Sequence, residues 1–283
     1  MARSASSASR RSLLADLRTR LSEHRLSIYA SAIAFRALVA LIPLALLGLG
    51  LLGALGLRST WKDSIAPTIK PRVTQPVFHG IDYSAEKILS SGTAGLILFA
   101  TALVVWDLAI AVSAIMDALN QIHDEQERRS PSRRTAIAVG LAVAVAVCVV
   151  GAFLVVTVAP RAGGEFHVLL GIGRWVAAPL LLALAVGLLV RLAPAERPEA
   201  RWASAGSLLV IASWIVASLL FKLWIIYVAN FKSAIGSLAG LLILTLYVFV
   251  SAAIFLIGAE LDELLRKQAH GRHVSVVELM RRG

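Results

Sequence analysis

The sequence predicts an all-α, polytopic membrane protein with six transmembrane helices and both termini in the cytoplasm. Three observations carry this prediction. Hydrophobic residues make up 58% of the 283 and charged residues only 16%, against about 45–50% and 25% in soluble domains. The apolar residues gather into blocks of about 20 or more, the length a helix needs to cross roughly 30 Å of hydrocarbon. The basic residues, which give a net charge of +11, collect at the chain ends and in alternate loops, a pattern that sets membrane orientation rather than one that binds nucleic acid.

Residues 1–27, MARSASSASRRSLLADLRTRLSEHRLS, form a basic cytoplasmic segment. The apolar block behind it is too long for a signal-peptide core. Within residues 12–25, Leu13, Leu14, Leu17 and Leu21 fall on one side and Arg18, Arg20 and Arg25 on the other, an amphipathic helix suited to the membrane surface. Span 1, residues 28–57, is about 45 Å long at 1.5 Å per residue, so it tilts, kinks at Pro43 or emerges from the bilayer. Gly48, Gly50, Gly53 and Gly56 leave notches near its outer end for close helix packing. Residues 58–91 contain Pro67, Pro71 and Pro76 and cannot be one continuous helix. They read as an external connector, with a lid as the alternative.

Span 2, residues 93–115, returns to the cytoplasm and continues as MDALNQIHDEQERR. There Asp117 and Asn120, three residues apart, share a face that His123 extends into water. Span 3, residues 135–158, holds the single cysteine, Cys148, which has no partner for an intrachain disulfide. Span 4, residues 175–192, contains Pro179. Pro43 and Pro179 would correspond in a three-plus-three repeat, but the segments around them, IPLALLGLGLL and APLLLALAVGLL, match only in generic apolar residues. Span 5, residues 202–228, carries Lys222 near its outer end, where the side chain can snorkel to the interface. Span 6, residues 238–261, follows GSLAG, whose Gly236 and Gly240 form a GxxxG suited to close helix contact. Glu260 lies near its inner end, where a carboxylate can face cytoplasmic water, and residues 262–283 form a cytoplasmic tail. Trp61, Trp175, Trp202 and Tyr227 stand at or near span ends, where amphipathic rings favour the headgroup layer. Of the 28 basic residues, eighteen fall on the side that holds both termini, eight on the other, and two, Arg36 and Lys222, inside spans.

Helical rise locates the charges in depth. Arg36, in ASAIAFRALVALIP, sits about 12 Å above the inner edge, and Asp107, on the inward-running span 2, about 9 Å above it. A lone charge at such depth costs about 2.5–3.5 kcal/mol on insertion scales, so each should face the bundle interior and find a partner. Either the pair simply pins span 1 to span 2, or Arg36 also forms the wall of a polar cavity that holds an anionic headgroup or substrate.

The stretches ASAIAFRALVALIP, MDALNQIHDEQERRSPSRR and WASAGSLLVIASWIVASLLFKLWIIYVANFKSAIGSLAGLLILTLYVFVSAAIFLIGAELDELL carry a family resemblance over residues 20–268. The chain resembles the YihY/BrkB family of bacterial inner-membrane proteins, once mislabelled ribonuclease BN. The resemblance implies a six-helix inner-membrane protein and no settled activity. Where that family has an aromatic-rich span 6, this chain has LTLYVFVSAAIF, with only Tyr247, Phe249 and Phe255.

Nothing in the sequence has the spacing of a metal site or cofactor motif. His270 and His273 form only a weak pair, and Asp124, Glu125 and Glu127 precede four arginines in a short loop. An enzymatic reading, ribonuclease included, therefore lacks a catalytic constellation. No GxxxxGK[ST] motif occurs either, so any transport is passive, ion-coupled or driven by another subunit. Two functions fit: a transporter or exporter of a lipid or anionic amphiphile, or a non-transporting scaffold that recruits a partner or anionic lipids through its cytoplasmic segments. The bilayer is the expected partner, and the sequence leaves open a homo-oligomer or a protein partner.

Overall fold

The computed structural model describes residues 17, 19–91, 94–158, 167–195, 205–227 and 233–281. Among them every regular element is helical. Helix α1 is Leu26–Ala54. A π-helical turn, Trp61–Ile65, and the short α2, Ala66–Ile69, lead to α3, Gln75–Ser91. Then follow α4 (Ala94–Ile122), α5 (Pro131–Val158), α6 (His167–Leu192), α7 (Ala205–Tyr227) and α8 (Ala234–Arg281). Among the described residues, five segments are long and apolar enough to cross a membrane: Leu26–Ala54, Ala94–Ile122, Pro131–Thr157, Leu208–Tyr227 and Leu238–Lys267. The corresponding apolar part of α6, Val176–Leu192, is shorter. Thr93, Trp202 and Val228, at expected span ends, lie outside the described residues.

Local chemistry explains where the helices stop. Span 1 ends three residues before its expected boundary because Gly56 adopts φ +70°. The Leu57 N–H then bonds the Leu52 carbonyl at 2.8 Å and the Gly56 N–H bonds the Gly53 carbonyl at 3.1 Å, a left-handed glycine cap that satisfies the last carbonyls. Gly56 is therefore a cap rather than a packing notch, and a Cβ there would meet nothing within 4 Å. Pro131 opens α5, where a missing N–H costs nothing. Ser233 caps α8 by accepting the Gly236 N–H at 3.0 Å. Gly236 and Gly240 are half-buried in the first turns of that helix.

The proline-bearing segment after span 1 is broken as expected, yet it is packed. Pro67 and Pro76 lie in first turns, and Pro71 lies in the break between α2 and α3. Trp61, expected near the headgroups, is buried with Leu52, Phe78, Ala85 and Leu89 in a cluster that covers the end of α1. Its Nε1–H donates to Asp82 Oδ1 at 2.7 Å. On the surface Lys62 lies 2.9 Å from Glu86, and that hydrogen-bonded carboxylate raises the lysine pKa.

The long helices pack most extensively as three sequential hairpins, α1 with α4, α5 with α6, and α7 with α8. Further contacts of α4 with α5 and of α8 with α1 set the neighbour order α6, α5, α4, α1, α8, α7. Helix α1 is the hub: 39% of its apolar window is buried within the chain, against 6% for α7. The expected boundary at residue 261 is not a break, since α8 runs on to Arg281. At 1.5 Å per residue it is about 72 Å long, far beyond the thickness of hydrocarbon. Residues 12–16 and 18 of the expected amphipathic helix lie outside the described residues. Residues 19–23 are helical, and Leu21 packs against the core rather than outward onto lipid.

A Cβ added at Gly53 would stand 2.7 Å from the Leu89 carbonyl oxygen, whereas at Gly140 it would meet nothing within 4 Å. Gly53→Ala is expected to destabilise the fold by about 1–3 kcal/mol through overpacking against backbone. Gly140→Ala should be neutral or stabilise by up to about 1 kcal/mol. Thermal unfolding in detergent checks both.

Candidate functional site

Two polar features interrupt the apolar bundle. The first lies between α1 and α4, where Arg36 Nη1 stands 3.6 Å from Asp107 Oδ1. Asp107 shares the inward stripe of α4 with the buried Ala100, Val104 and Ala111. Arg36 is less enclosed: 36% of its side chain is exposed, against 11% for Asp107. Its guanidinium carbon also lies 5.9 Å from the Phe35 ring centroid. At 3.6 Å the pair is an ion contact rather than a bidentate hydrogen-bonded fork, so the planar guanidinium keeps donors free for an anion.

The second feature gathers at the end of the bundle from which α1 starts. Loop residues after α4, the end of α6, the segment before α1 and the middle of α8 all meet there. Asn120, 5% exposed, donates from Nδ2 to Glu127 Oε2 at 3.1 Å and accepts the Ala195 N–H on Oδ1 at 2.9 Å. Arg129 donates to the carbonyls of Ala193 and Pro194. Asp117 pairs with Arg134 at 2.7 Å. Asp117 and Asn120 thus serve different partners despite sharing a helix face.

Deeper in the same end, Glu260 is wholly buried and Glu263 is 2% exposed. The expectation that Glu260 faces water is corrected: its Oε2 lies 2.8 Å from His24 Nδ1 and its Oε1 lies 3.8 Å from Arg20. Burial is possible because the chain turns sharply at Arg25, whose φ of 50° is left-handed, folding His24 onto α8. Arg20, read as part of an outward polar face, points to Glu260 for the same reason. Asp124, also at positive φ (54°), approaches the other ring nitrogen of His24 at 3.8 Å. A left-handed non-glycine residue costs of order 1–3 kcal/mol, less for aspartate, so both strained residues flank one contact.

Lys267 completes the network, reaching Asp124 at 2.5 Å and Glu263 at 3.5 Å. Glu263 also takes a two-pronged contact from Arg266 at 2.8 and 3.0 Å and faces His123 Nε2 at 3.9 Å. The hydrogen bond from Lys267 holds the Asp124 carboxyl below its ordinary value of 3.8, against a smaller opposing push from burial. The contribution of that pair is therefore present above ordinary carboxylate pH and lost as pH falls through the depressed value.

Sequence reasoning singled out Arg36, Asp107, Asp117, Asn120 and Glu260 but not His24, Asp124, Glu263 or Lys267 as partners. Glu260, Glu263 and Lys267 recur at helical spacing on one face of α8, which was a readable signal. His24 was not, because its contact spans 236 residues of sequence. Lys222, near the end of α7, lines a shallow groove of about 350 Å³ with Trp214, Ile215, Ser218 and Leu219. Ser218 and Tyr247 join α7 to α8 by a 3.0 Å hydrogen bond between hydroxyls. Among the described residues no group of three or more His, Cys, Asp and Glu is placed to hold a metal ion.

The model of the family described as Virulence factor BrkB matches residues 17–277. The chain is also similar to the ribonuclease-like protein YfkH of Bacillus subtilis (strain 168), at 23% identity over 267 residues that cover 91% of this chain and 96% of that one. No solved structure matches.

Removing the buried Asn120 carboxamide strands the Ala195 N–H. Asn120→Ala is therefore expected to lower stability by about 1–3 kcal/mol. Asp117→Asn, which breaks a half-exposed pair, should cost no more than about 1 kcal/mol. Comparing unfolding midpoints of the two variants checks this ranking.

Proposed function

The chain belongs to the BrkB family, and from that premise we propose that it is a multi-pass transporter or exporter of a lipid or anionic amphiphile. In this reading six spans cross the inner membrane of a bacterial cell and both termini lie in the cytoplasm. Arg36 and Asp107 line the substrate path.

One observation carries this reading. Arg36 is a charged, partly exposed guanidinium at membrane depth whose carboxylate partner stands at 3.6 Å, outside close hydrogen-bonded geometry. An arginine needed only to pin two helices is better served by a short bidentate contact. An arginine that exchanges its partner for a phosphate or carboxylate needs a loose one, and intramembrane charges are functional candidates by default. Asp107 holds the guanidinium in place when no anion is bound and competes with the anion when one arrives.

The ribonuclease-like name of the relative does not extend to this chain in our reading. Among the described residues, His24, His123, Glu260 and Glu263 are engaged with one another or with Arg20, Arg266 and Lys267 rather than set as a convergent acid and base facing a cleft. We read the protein as non-enzymatic and without a cofactor.

Reconstitution into liposomes tests the proposal with fluorescent anionic and zwitterionic phospholipids. Wild-type protein should move the anionic lipid faster than protein-free vesicles do. Arg36→Ala should lower the rate at least about tenfold, which corresponds to the loss of about 1.4 kcal/mol of interaction. The exchanged double variant, Arg36→Asp with Asp107→Arg, should fold and recover part of the flux. Background flux in all folded variants, wild type included, would sink transport and favour the scaffold. Unfolding of the single variants with full rescue of folding alone by the exchange would reduce the pair to a structural pin.

A further inference from the structure

We infer that His24 and Glu260 form a proton-binding site whose occupancy locks the segment before α1 onto the end of the bundle. This site is separate from the Arg36–Asp107 pair.

Glu260 is the least compensated carboxylate in the network. It is wholly buried, and its Oε1 has no hydrogen-bond partner. Its nearest permanent cation, Arg20, stands 3.8 Å away and is partly exposed. The other two acids are better served, Asp124 by Lys267, and Glu263 by Arg266 and Lys267. The group in close contact with Glu260 is His24, at 2.8 Å. His24 is itself buried, and its second nitrogen faces Asp124 at 3.8 Å rather than a donor.

A neutral imidazole has one N–H and one lone pair. With the N–H on Nδ1 donated to Glu260, the Nε2 lone pair points toward the Asp124 carboxylate, and two like-charged surfaces face each other. One added proton changes both contacts: Nε2 becomes a donor toward Asp124, and the imidazolium supplies the full positive charge that buried Glu260 lacks. Histidine is the side chain whose ordinary titration crosses physiological pH. Among the described residues, the charged groups paired with His24 and Glu260 are Arg20 on the segment before α1 and Asp124 on the loop after α4, with Lys267 of α8 next to Asp124. His123 faces Glu263, one helical turn further along α8, at 3.9 Å.

The left-handed turn at Arg25 supplies a hinge. The segment before it is joined to α1 through a strained residue, so losing the His24 contacts lets the turn relax and the segment swing free. Proton binding is thereby linked to docking: whatever favours the docked segment draws in a proton, and alkalinisation releases it.

Double electron–electron resonance on the full chain in nanodiscs tests this. Spin labels at the exposed Ser22 and Gln126, with Cys148→Ala, report the distance between the segment and the loop. The wild type should show one narrow short distance at about pH 6. At about pH 8.5 a broad longer population should appear, the docked share falling at least threefold between the two pH values. His24→Gln, a neutral donor at every pH, should show the same distribution at both values, while His123→Gln should keep the wild-type response. A wild-type distribution that does not change with pH would overturn the inference even if the His24 variant failed to fold. An unchanged pH response in His24→Gln would overturn it as well.

Discussion

Hydrocarbon offers no water to an unpaired charge, and this constraint shapes the molecule from Arg36 outward. The guanidinium on α1 and the carboxylate on α4 face each other at 3.6 Å, an orientation of the two helices that lowers the cost of either charge in an apolar bundle. That orientation turns Ala30 and Leu26 toward Met116, Leu119 and Leu256, where α1, α4 and α8 share one core. It also leaves Gly48 and Gly50 facing Phe153 and Ile97, whose close approach a larger residue would block. With α1 at the centre, α5 and α6 extend the bundle on one side and α7 on the other.

The same constraint acts differently at the bundle end. There the acids and bases can reach one another across four segments, and the chain buries two glutamates by surrounding them with Arg20, His24, Arg266 and Lys267. Such a network is expensive to leave half-satisfied in low dielectric. It therefore holds the segment before α1, the loop after α4 and the long α8 in register. Asn120 and Arg129 extend this register to the end of α6 through the backbone of residues 193–195. The intramembrane pair and the end network share α1 and α4 as their frame, so a shift of either helix is felt at both.

Much of this was legible in the residues. Apolar length located the long helices, because a span must exceed the thickness of hydrocarbon. Helical rise alone brought Arg36 and Asp107 to similar depth. Boundaries were less legible: Gly56 ends α1 through its backbone conformation, and no hydropathy window registers a left-handed cap. The segment of residues 58–91 was readable as broken but not as packed, since the burial of Trp61 depends on α3 folding back over α1. Least legible was Glu260. Position at the end of an apolar run suggested water, and only the turn at Arg25 reveals that a histidine more than two hundred residues earlier closes over it.

The anion-holding role we propose for Arg36 rests on an asymmetry between the partners, which native mass spectrometry of the detergent-solubilised protein, titrated with phosphatidylglycerol or phosphatidylcholine, can resolve. Asp107→Asn removes the competitor and should strengthen the bound anionic lipid signal. Arg36→Gln should abolish the preference for the anionic lipid, by about tenfold or more if one charge-assisted contact is lost. Equal lipid preference in the wild type and both variants would contradict a binding role and leave the pair as a clamp between two helices.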